Sequence, residues 1–231
     1  MKTQTPLIPS WVHNLDDYEH MFNLSDTDKQ RTILDYPASI SSFNTEMHAL
    51  GFAVVSADPH YDLSLLDMSK HVDNRIQQLA THLDQYVDRI QGEGEKTLEN
   101  ILNAWNHYAQ LFVTDYSQGK VEGRYRVANL PKLPFDNLEF DLALCPDLLF
   151  RTEHQFPEKI IAELCRVANE VRVFPLLDEH GDVSATLGAV MRNLQDTNFG
   201  VEVREVPYKL QKGSNAMLRI WAKECVVENG L

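Results

Sequence analysis

Two carboxylates, Asp35 and Asp58, each end a short apolar run in the first 58 residues of the chain. Asp58 lies 23 positions after Asp35. That separation is close to the roughly 20 residues between the phosphate-binding turn and the ribose-binding acid of nucleotide-binding half-units. An ionised carboxylate can accept hydrogen bonds from both hydroxyls of a ribose. The pair therefore predicts a nucleotide-like ligand over the turn after Asp35, with its ribose on Asp58.

The residues around these two acids predict the elements that position them. The short run 32–36 and the β-branched run 52–57 both suit buried strands. Between them, apolar residues recur at helical spacing over 43–50, with a serine pair in front as N-cap and Gly51 behind as C-cap. The turn between strand and helix contains no glycine, although a backbone that closely approaches a ligand commonly uses one.

After the second acid, a helical hairpin takes the place of a single crossover helix. A 3-or-4 apolar rhythm runs over 65–90, is interrupted at Gly92 and Gly94, and resumes over 98–112. We expect a helical insertion over about 62–115, where one helix of about 10–15 residues would complete the crossover. Its acidic and amide faces are typical of solvated surface, and a lid or a subunit interface are the functional alternatives.

The rest of the chain alternates strands and helices, which predicts a parallel sheet wound on both sides. The predicted elements are strands at 125–128, 139–145 and 170–176, a helix opened by Pro157, a helix at 182–198 capped by Gly200, and closing strands at 201–207 and 215–222. Turn residues separate the last two strands, so they should form an antiparallel hairpin. We therefore predict an α/β fold with a doubly wound, mostly parallel, seven-stranded sheet and a terminal antiparallel hairpin.

One domain over 32–231 accounts for this pattern, and an arm over 1–31 precedes it. A short helical pattern surrounds Tyr18 and Phe22, and Ser25 is the predicted N-cap of a further turn. The arm either packs against the domain or folds over the binding cleft as a cover.

Composition limits the classes of partner. The net charge of −13 comes from 21 basic and 34 acidic residues and repels nucleic-acid backbones and anionic membranes, so we expect neither partner. Cys145, Cys165 and Cys225 lack metal-like spacing and are interpreted as reduced thiols. We expect neither a secretion signal nor a membrane-spanning run, so the sequence predicts a cytoplasmic protein. It predicts no particular oligomeric state.

Four stretches carry a resemblance to a known family. They are Ile33-Leu34-Asp35 with the turn to Phe43, Val54 to Asp58, Leu133-Pro134-Phe135 followed by Phe140-Asp141-Leu142-Ala143-Leu144-Cys145, and the closing hairpin from Val201 to Ala222. In this order they resemble the motifs of the S-adenosylmethionine-dependent methyltransferases with the Rossmann-like, seven-stranded fold. The resemblance covers nearly the whole chain after the arm.

More narrowly, the first stretch is similar to a group of bacterial methyltransferase-like proteins whose motif reads Asp-x-x-Ala-Gly-x-Ser-Ser-Phe. Here the motif spans Asp35 to Phe43, and Ser39 replaces the glycine. A non-glycine residue in the left-handed region costs roughly 1–2 kcal/mol, which a fold can absorb. The larger consequence is bulk, because the side chains of Ser39 and Ile40 would compete with the methionine part of the cofactor for volume.

The resemblance implies a cofactor role for ten residues of this chain. Asp35 would approach the methionine amino group, Asp58 the ribose hydroxyls, and Cys145 the reacting methyl group. The turn would be lined by Pro37, Ala38, Ser39 and Ser42, and the adenine would lie between Pro59 and the pair Asn129 and Leu130. A strand-end acid, a helix N-cap and an inert buried thiol are the simpler interpretations of Asp35, Asp58 and Cys145.

Methyl transfer often needs no dedicated catalytic base, because the sulfonium is already activated and alignment with exclusion of water can supply most of the acceleration. We therefore name no catalytic residue. His60, Tyr61 and His154 are candidate acid–base groups, since they follow strand ends. The nine histidines show no metal-site spacing.

The sequence thus favours S-adenosylmethionine-dependent methyl transfer to an unidentified acceptor. The alternative is a methyltransferase fold that has lost or weakened cofactor binding and serves as a binding or interaction protein. Nicotinamide-dependent oxidoreduction is disfavoured, because the chain lacks Gly-x-Gly-x-x-Gly and ends in a hairpin.

Overall fold

The computed structural model describes residues 10–90, 97–150 and 157–223. Its strands are β1 (Ile33–Asp35), β2 (Val54–Asp58), β3 (Tyr125–Val127), β4 (Phe140–Pro146), β5 (Ala168–Phe174), β6 (Phe199–Glu205) and β7 (Ala216–Ala222). Its helices are α1 (Leu15–Phe22), α2 (Asp26–Lys29), α3 (Phe43–Ala49), α4 (Leu65–His82), α5 (Leu98–Val121), α6 (Pro157–Val167) and α7 (Leu187–Asp196). Two 3₁₀ turns, Pro59–Asp62 and Leu83–Arg89, complete the described elements.

The seven strands form one sheet in the order β3-β2-β1-β4-β5-β7-β6. The pairs β1–β2, β2–β3, β1–β4 and β4–β5 are parallel, whereas β7 runs antiparallel to both β5 and β6. This is the doubly wound, Rossmann-like methyltransferase arrangement with a terminal antiparallel hairpin, so the predicted fold class is confirmed. The strand order reverses between β1 and β4, and open α/β sheets bind ligands at such a point, outside the carboxyl ends of the strands.

Alternating side chains of the strands bury both faces of the sheet. On one face, α6 and α7 pack through Ile161 and Val190 against a layer that includes Cys145. On the other face, Tyr18 of α1 and Phe43 of α3 stack with ring centroids 4.1 Å apart. The described portion of the arm is therefore part of the packing of the second face.

The predicted insertion is a pair of helices, α4 and α5, that share a third apolar cluster. The helical rhythm continues past α4 as the 3₁₀ turn Leu83–Arg89, and the predicted break at Gly92 and Gly94 lies outside the described residues. Helix α5 extends beyond the predicted end of the insertion at 115, because its last turns pack on the sheet. There the Tyr116 hydroxyl donates to the carbonyls of Tyr61 and Leu63, both at 3.0 Å.

Two boundaries differ from the prediction around α7. The helix begins at Leu187 rather than 182, because Leu177 and Val183 form an antiparallel bridge that holds the preceding residues in a turn. Gly200 does not cap α7, since it lies within β6, where a Cβ would stand 2.2 Å from the Trp221 ring. Asn198, at φ +67°, takes the left-handed position after the helix.

Candidate functional site

A cavity of about 390 Å³ lies at the carboxyl ends of β1 and β2, next to the β1–β4 reversal. Its volume is within the range of small-molecule sites, roughly 300–1,000 Å³. The turn after β1, the end of β2, helix α4 and the loop after β4 form its walls, with the lining residues Ser10, Pro37, Ser39, Ile40, Asp58, His60, Tyr61, Met68, His71, Arg75, Gln78, Asp147 and Leu148. This is the edge of the sheet at which the sequence predicts the ligand.

The turn after β1 has the backbone shape that the missing glycine would have supplied. Ser39 has φ +52° and lies in the left-handed region. Its N–H donates to Asp58 Oδ2 at 3.0 Å, and its carbonyl accepts from the Tyr61 hydroxyl at 2.7 Å. These two bonds hold the strained residue in place, and its exposed side chain lies in the cavity wall. The substitution therefore keeps the turn but adds side-chain volume at the site.

The serine pair after the turn starts α3 in a different manner from the one predicted. The Ser41 hydroxyl accepts from the Phe43 N–H at 3.1 Å. Ser42, in contrast, has helical backbone angles, makes no side-chain cap, and donates its hydroxyl to Glu46. Gly51, at φ +84°, takes the left-handed position after the helix, in agreement with the prediction.

Asp58 joins the turn to the end of β2. Besides the Ser39 N–H, its carboxylate accepts from the backbone N–H and the Nδ1–H of His60, both at 2.9 Å. The carboxylate thus caps the turn Pro59–Asp62, as the simpler interpretation expects. Of the about four acceptor positions on a carboxylate, one is left for a ribose hydroxyl. A second becomes available when the His60 ring, which is 59% exposed, turns away.

Asp35 shares a sheet face with Asp58 but is not in contact with the cavity. It is fully buried, and it accepts hydrogen bonds from the hydroxyls of Tyr18 and Ser56, both at 2.9 Å. Burial raises the pKa of the Asp35 carboxyl to about 7, although both hydroxyls oppose that shift. A ligand would reach this carboxylate only after Tyr18 moved.

The arm crosses the turn on the Asp35 side. The His13 carbonyl accepts from the Ser42 N–H at 3.1 Å and from the Ser41 hydroxyl at 3.0 Å. The His13 Nε2 lies 3.2 Å from the Asp147 carboxylate. Burial lowers the pKa of His13, but Asp147 and Asp17 raise it by more, and the resulting pKa is about 9. The arm thus covers the turn, and only a cavity of about 50 Å³ remains between them.

The structure does not bring all the predicted cofactor residues to the cavity. Ala38 is buried and faces the smaller cavity, while Pro59 and Asn129 are exposed outside the cavity wall. Leu130 packs against the α6–α7 core instead. Cys145 is fully buried in that same core, where burial raises its pKa.

Cys145 is buried in the core because side chains alternate between the two faces of a strand. Ala143 and Cys145 face α6, whereas Leu142 and Leu144 face α1 and α3. The thiol therefore lies on the opposite face of the sheet from Asp35. Asp147 and Leu148, beyond the end of β4, line the cavity instead.

Among the acid–base candidates, Tyr61 holds the turn and His60 lines the cavity, while His154 lies outside the described residues. Since a carboxylate only accepts, the His60 Nδ1 carries a proton that it donates to Asp58. The ring stacks on His71 of α4 with centroids 4.8 Å apart.

Sequence reasoning missed three polar residues of the cavity, His71, Arg75 and Gln78. They follow Met68 on one face of α4. Their 3-and-4 spacing was visible, but the polar face of an amphipathic helix is usually solvated surface. Only the packing of the insertion against the strand ends shows that this face closes a cavity.

A larger opening, about 610 Å³, lies at the opposite edge of the sheet among Thr32, His48, Gly51, Phe52, Glu122, Arg124 and Glu139. That edge holds the amino ends of the strands, where this class of sheet does not bind its ligands. We therefore assign the carboxyl-edge cavity as the candidate site despite its smaller volume.

Within residues 10–90, 97–150 and 157–223, no three His, Cys, Asp or Glu side chains are grouped as metal ligands. In the same part of the chain, no helix combines the length and apolar character needed to cross a membrane.

Comparisons with known proteins complete the description. No protein-family model matches the chain. An uncharacterised protein of Methanocaldococcus jannaschii is 26% identical over 212 residues, which span 90% of this chain and 93% of that protein.

Solved structures similar to this chain have low sequence identity to it. A Pyrococcus horikoshii protein is 13% identical with a TM-score of 0.48, covering 90% of each chain. A SAM-dependent methyltransferase of Methanosarcina mazei is 14% identical with a TM-score of 0.43, covering 84% of this chain and 93% of its own. A Thermotoga maritima SAM-dependent methyltransferase, described as a possible histamine N-methyltransferase, is 11% identical with a TM-score of 0.45, covering 90% and 89%.

Proposed function

We propose that this protein binds S-adenosylmethionine in the carboxyl-edge cavity and transfers its methyl group to an acceptor in the cytoplasm. The observation that carries the proposal is the hydrogen bond between Asp58 at the end of β2 and the left-handed Ser39 N–H of the turn after β1. This bond joins the acid that we propose binds the ribose to the turn that we propose holds the cofactor, next to the reversal of strand order between β1 and β4. The motif from Asp35 to Phe43 supports a place in the bacterial methyltransferase-like group.

In this proposal the chain acts by positioning. The cofactor supplies an activated methyl group on a sulfonium. Asp58 holds the ribose, the Ser39 backbone fixes the turn, and α4 covers the cavity and excludes water, which leaves alignment as the main source of acceleration. The net charge of −13 favours an acceptor other than nucleic acid.

One observation favours the alternative function, a methyltransferase fold that binds a partner without using the cofactor. In the structure, the His13 carbonyl of the arm accepts from the Ser42 N–H, and the Tyr18 hydroxyl of the arm donates to Asp35. The resemblance implies that the Ser42 N–H and Asp35 bind the cofactor instead. Cofactor binding therefore requires either that the arm moves or that the methionine part takes a path along α4.

Calorimetric titration tests the proposal with S-adenosylmethionine, S-adenosylhomocysteine and the 2′-deoxy form of the latter. The wild type should prefer S-adenosylhomocysteine over its 2′-deoxy form by about 10–100-fold, the value of one hydrogen bond to a charged group. Asp58→Ala should bind both ligands equally, and with the weaker affinity. Asp62→Ala is the matched control, because it removes the same charge from the same turn outside the cavity.

Thermal unfolding of both variants checks that Asp58→Ala remains folded. Absence of heat and of a thermal shift at millimolar S-adenosylmethionine and S-adenosylhomocysteine would reject the enzyme and favour the alternative function. A folded Asp58→Ala protein that still discriminates against the 2′-deoxy ligand would show that the ribose is bound elsewhere.

A further inference from the structure

Arg75 on α4 is a cation without a carboxylate partner in the cavity wall. Its guanidinium is half-buried and lines the cavity. One Nη2–H donates to the Ser10 carbonyl at 2.8 Å. In the described part of the chain, no carboxylate lies within 4 Å of it, whereas Arg124 and Arg172 lie 2.6 and 2.7 Å from carboxylate oxygens.

Among the described residues, the two carboxylates that line the cavity, Asp58 and Asp147, are paired with histidines rather than with Arg75. The Asp147 carboxylate lies 3.2 Å from the His13 Nε2. Burial lowers the pKa of the Arg75 guanidinium, and the charge of Asp147 offsets this effect only in part. A guanidinium remains protonated at any physiological pH. A partly desolvated positive charge thus lines the cavity, and the described residues place no carboxylate within 4 Å of it.

A second donor lies one helical turn away on the same face. His71 precedes Arg75 by four residues on α4, and its ring stacks on His60 at 4.8 Å. A neutral imidazole keeps one N–H donor, and a guanidinium presents planar N–H groups that suit carboxylate and phosphate oxygens. Arg75 and His71 together form a wall with donors for an anion.

The position of this wall separates it from the groups assigned to the cofactor. Asp58 and Ser39 belong to the strand ends, whereas α4 belongs to the insertion that a minimal crossover does not need. We propose that Arg75 and His71 form the acceptor subsite and that the acceptor is a small molecule carrying a carboxylate or phosphate group. This inference rests on the proposed methyl transfer, but the anion subsite itself can be measured without cofactor.

Inorganic phosphate is the probe, and the readout is the His71 ring resonance in NMR spectra, assigned with His71→Asn. Phosphate should shift this resonance in the wild type, with and without saturating S-adenosylhomocysteine. Arg75→Gln should weaken the phosphate response at least 10-fold, and Arg75→Lys should restore part of it. Arg89→Gln is the matched control, because it removes an arginine of the same insertion that does not line the cavity.

Each outcome decides the proposal. A phosphate response that is unchanged in Arg75→Gln, or absent from the wild type, overturns the anion subsite. A response that disappears when S-adenosylhomocysteine is added assigns the anion to the carboxylate of the cofactor and overturns the acceptor subsite. If S-adenosylhomocysteine does not bind at all, the proposed function fails separately, because the response without cofactor still reports on Arg75.

Discussion

Asp35→Asn should make the protein more stable above pH 7, by up to about 4 kcal/mol relative to the wild type. The folded-state pKa of Asp35 is about 7, against an ordinary value of 3.8. The folded protein therefore binds this proton more tightly than the unfolded chain. The stability that the Asp35 proton contributes is fully present below about pH 4 and is lost as the pH rises toward 7. The loss is 1.36 kcal/mol for each of about three pKa units.

Asparagine has the shape of the protonated acid. Its carbonyl can accept from the Tyr18 hydroxyl, and its amide can donate to the Ser56 oxygen. The free energy of unfolding of both proteins should be measured by urea denaturation from pH 4 to pH 9. Since the pKa of His13 is raised from 6.5 to about 9, its stabilising contribution is lost above pH 6.5 in both proteins, and the difference between the two curves below pH 6.5 reports on Asp35.

The two stability curves should coincide near pH 4 and separate toward pH 7. Asp73→Asn, at an exposed position on α4, is the control and should follow the wild-type curve. Parallel curves for Asp35→Asn and the wild type would show that the buried carboxyl does not titrate in this range.

Arg172→Met should destabilise the fold by about 3 kcal/mol, the lower end of the cost of breaking a buried ion pair on one side. The lower end applies because Glu170 keeps Arg219 and Asp28 keeps Arg31 as partners. Arg172 is 5% exposed, and its guanidinium donates to Glu170 at 2.7 Å, to Asp28 at 2.8 Å and to the Phe22 carbonyl at 2.9 Å. Burial raises the pKa of both carboxyls, but their hydrogen bonds and arginine partners lower it to about 2. Methionine fills the volume but leaves two acids and a carbonyl short of a donor.

The same substitution should loosen the arm, because Arg172 of β5 donates hydrogen bonds to the Phe22 carbonyl and the Asp28 carboxylate of the arm. Urea denaturation measures the loss of stability, and hydrogen exchange should accelerate first in α1 and α2. Arg204→Met is the control, because its pair with Glu202 is 38–41% exposed and is worth about 1 kcal/mol or less. An equal effect of the two substitutions would mean that the buried network contributes no more than a surface pair.

Patterns in the sequence predicted the fold because each element had its own signal. Apolar runs marked the strands, and the turn residues near 213 separated β6 from β7. Ser39 was identified as the residue in the place of a glycine, and its φ of +52° confirms that the turn needs that conformation. The shift of α7 to Leu187 was not predictable, since the Leu177–Val183 bridge depends on a contact between residues.

The site was less predictable, because its walls come from segments distant in sequence. Cys145 was predicted to border the reacting methyl group because it lies at the end of its strand. Side chains alternate between the two faces of a strand, and the thiol lies on the face that packs in the core. The polar face of α4 that carries Arg75 was interpreted as solvated surface. Only the packing of α4 across the end of β2 shows that this face lines the cavity. No local pattern indicated that Tyr18 of the arm covers Asp35, since a hydrogen bond over 17 residues has no periodic signal.

A crystal structure of the protein with S-adenosylhomocysteine tests the proposed site. The ligand should lie in the carboxyl-edge cavity, with a ribose hydroxyl on Asp58, the His60 ring turned away, and α4 as the outer wall. Ligand density in the opening at the amino ends of the strands, or in the carboxyl-edge cavity without contact to Asp58, would contradict the proposed site.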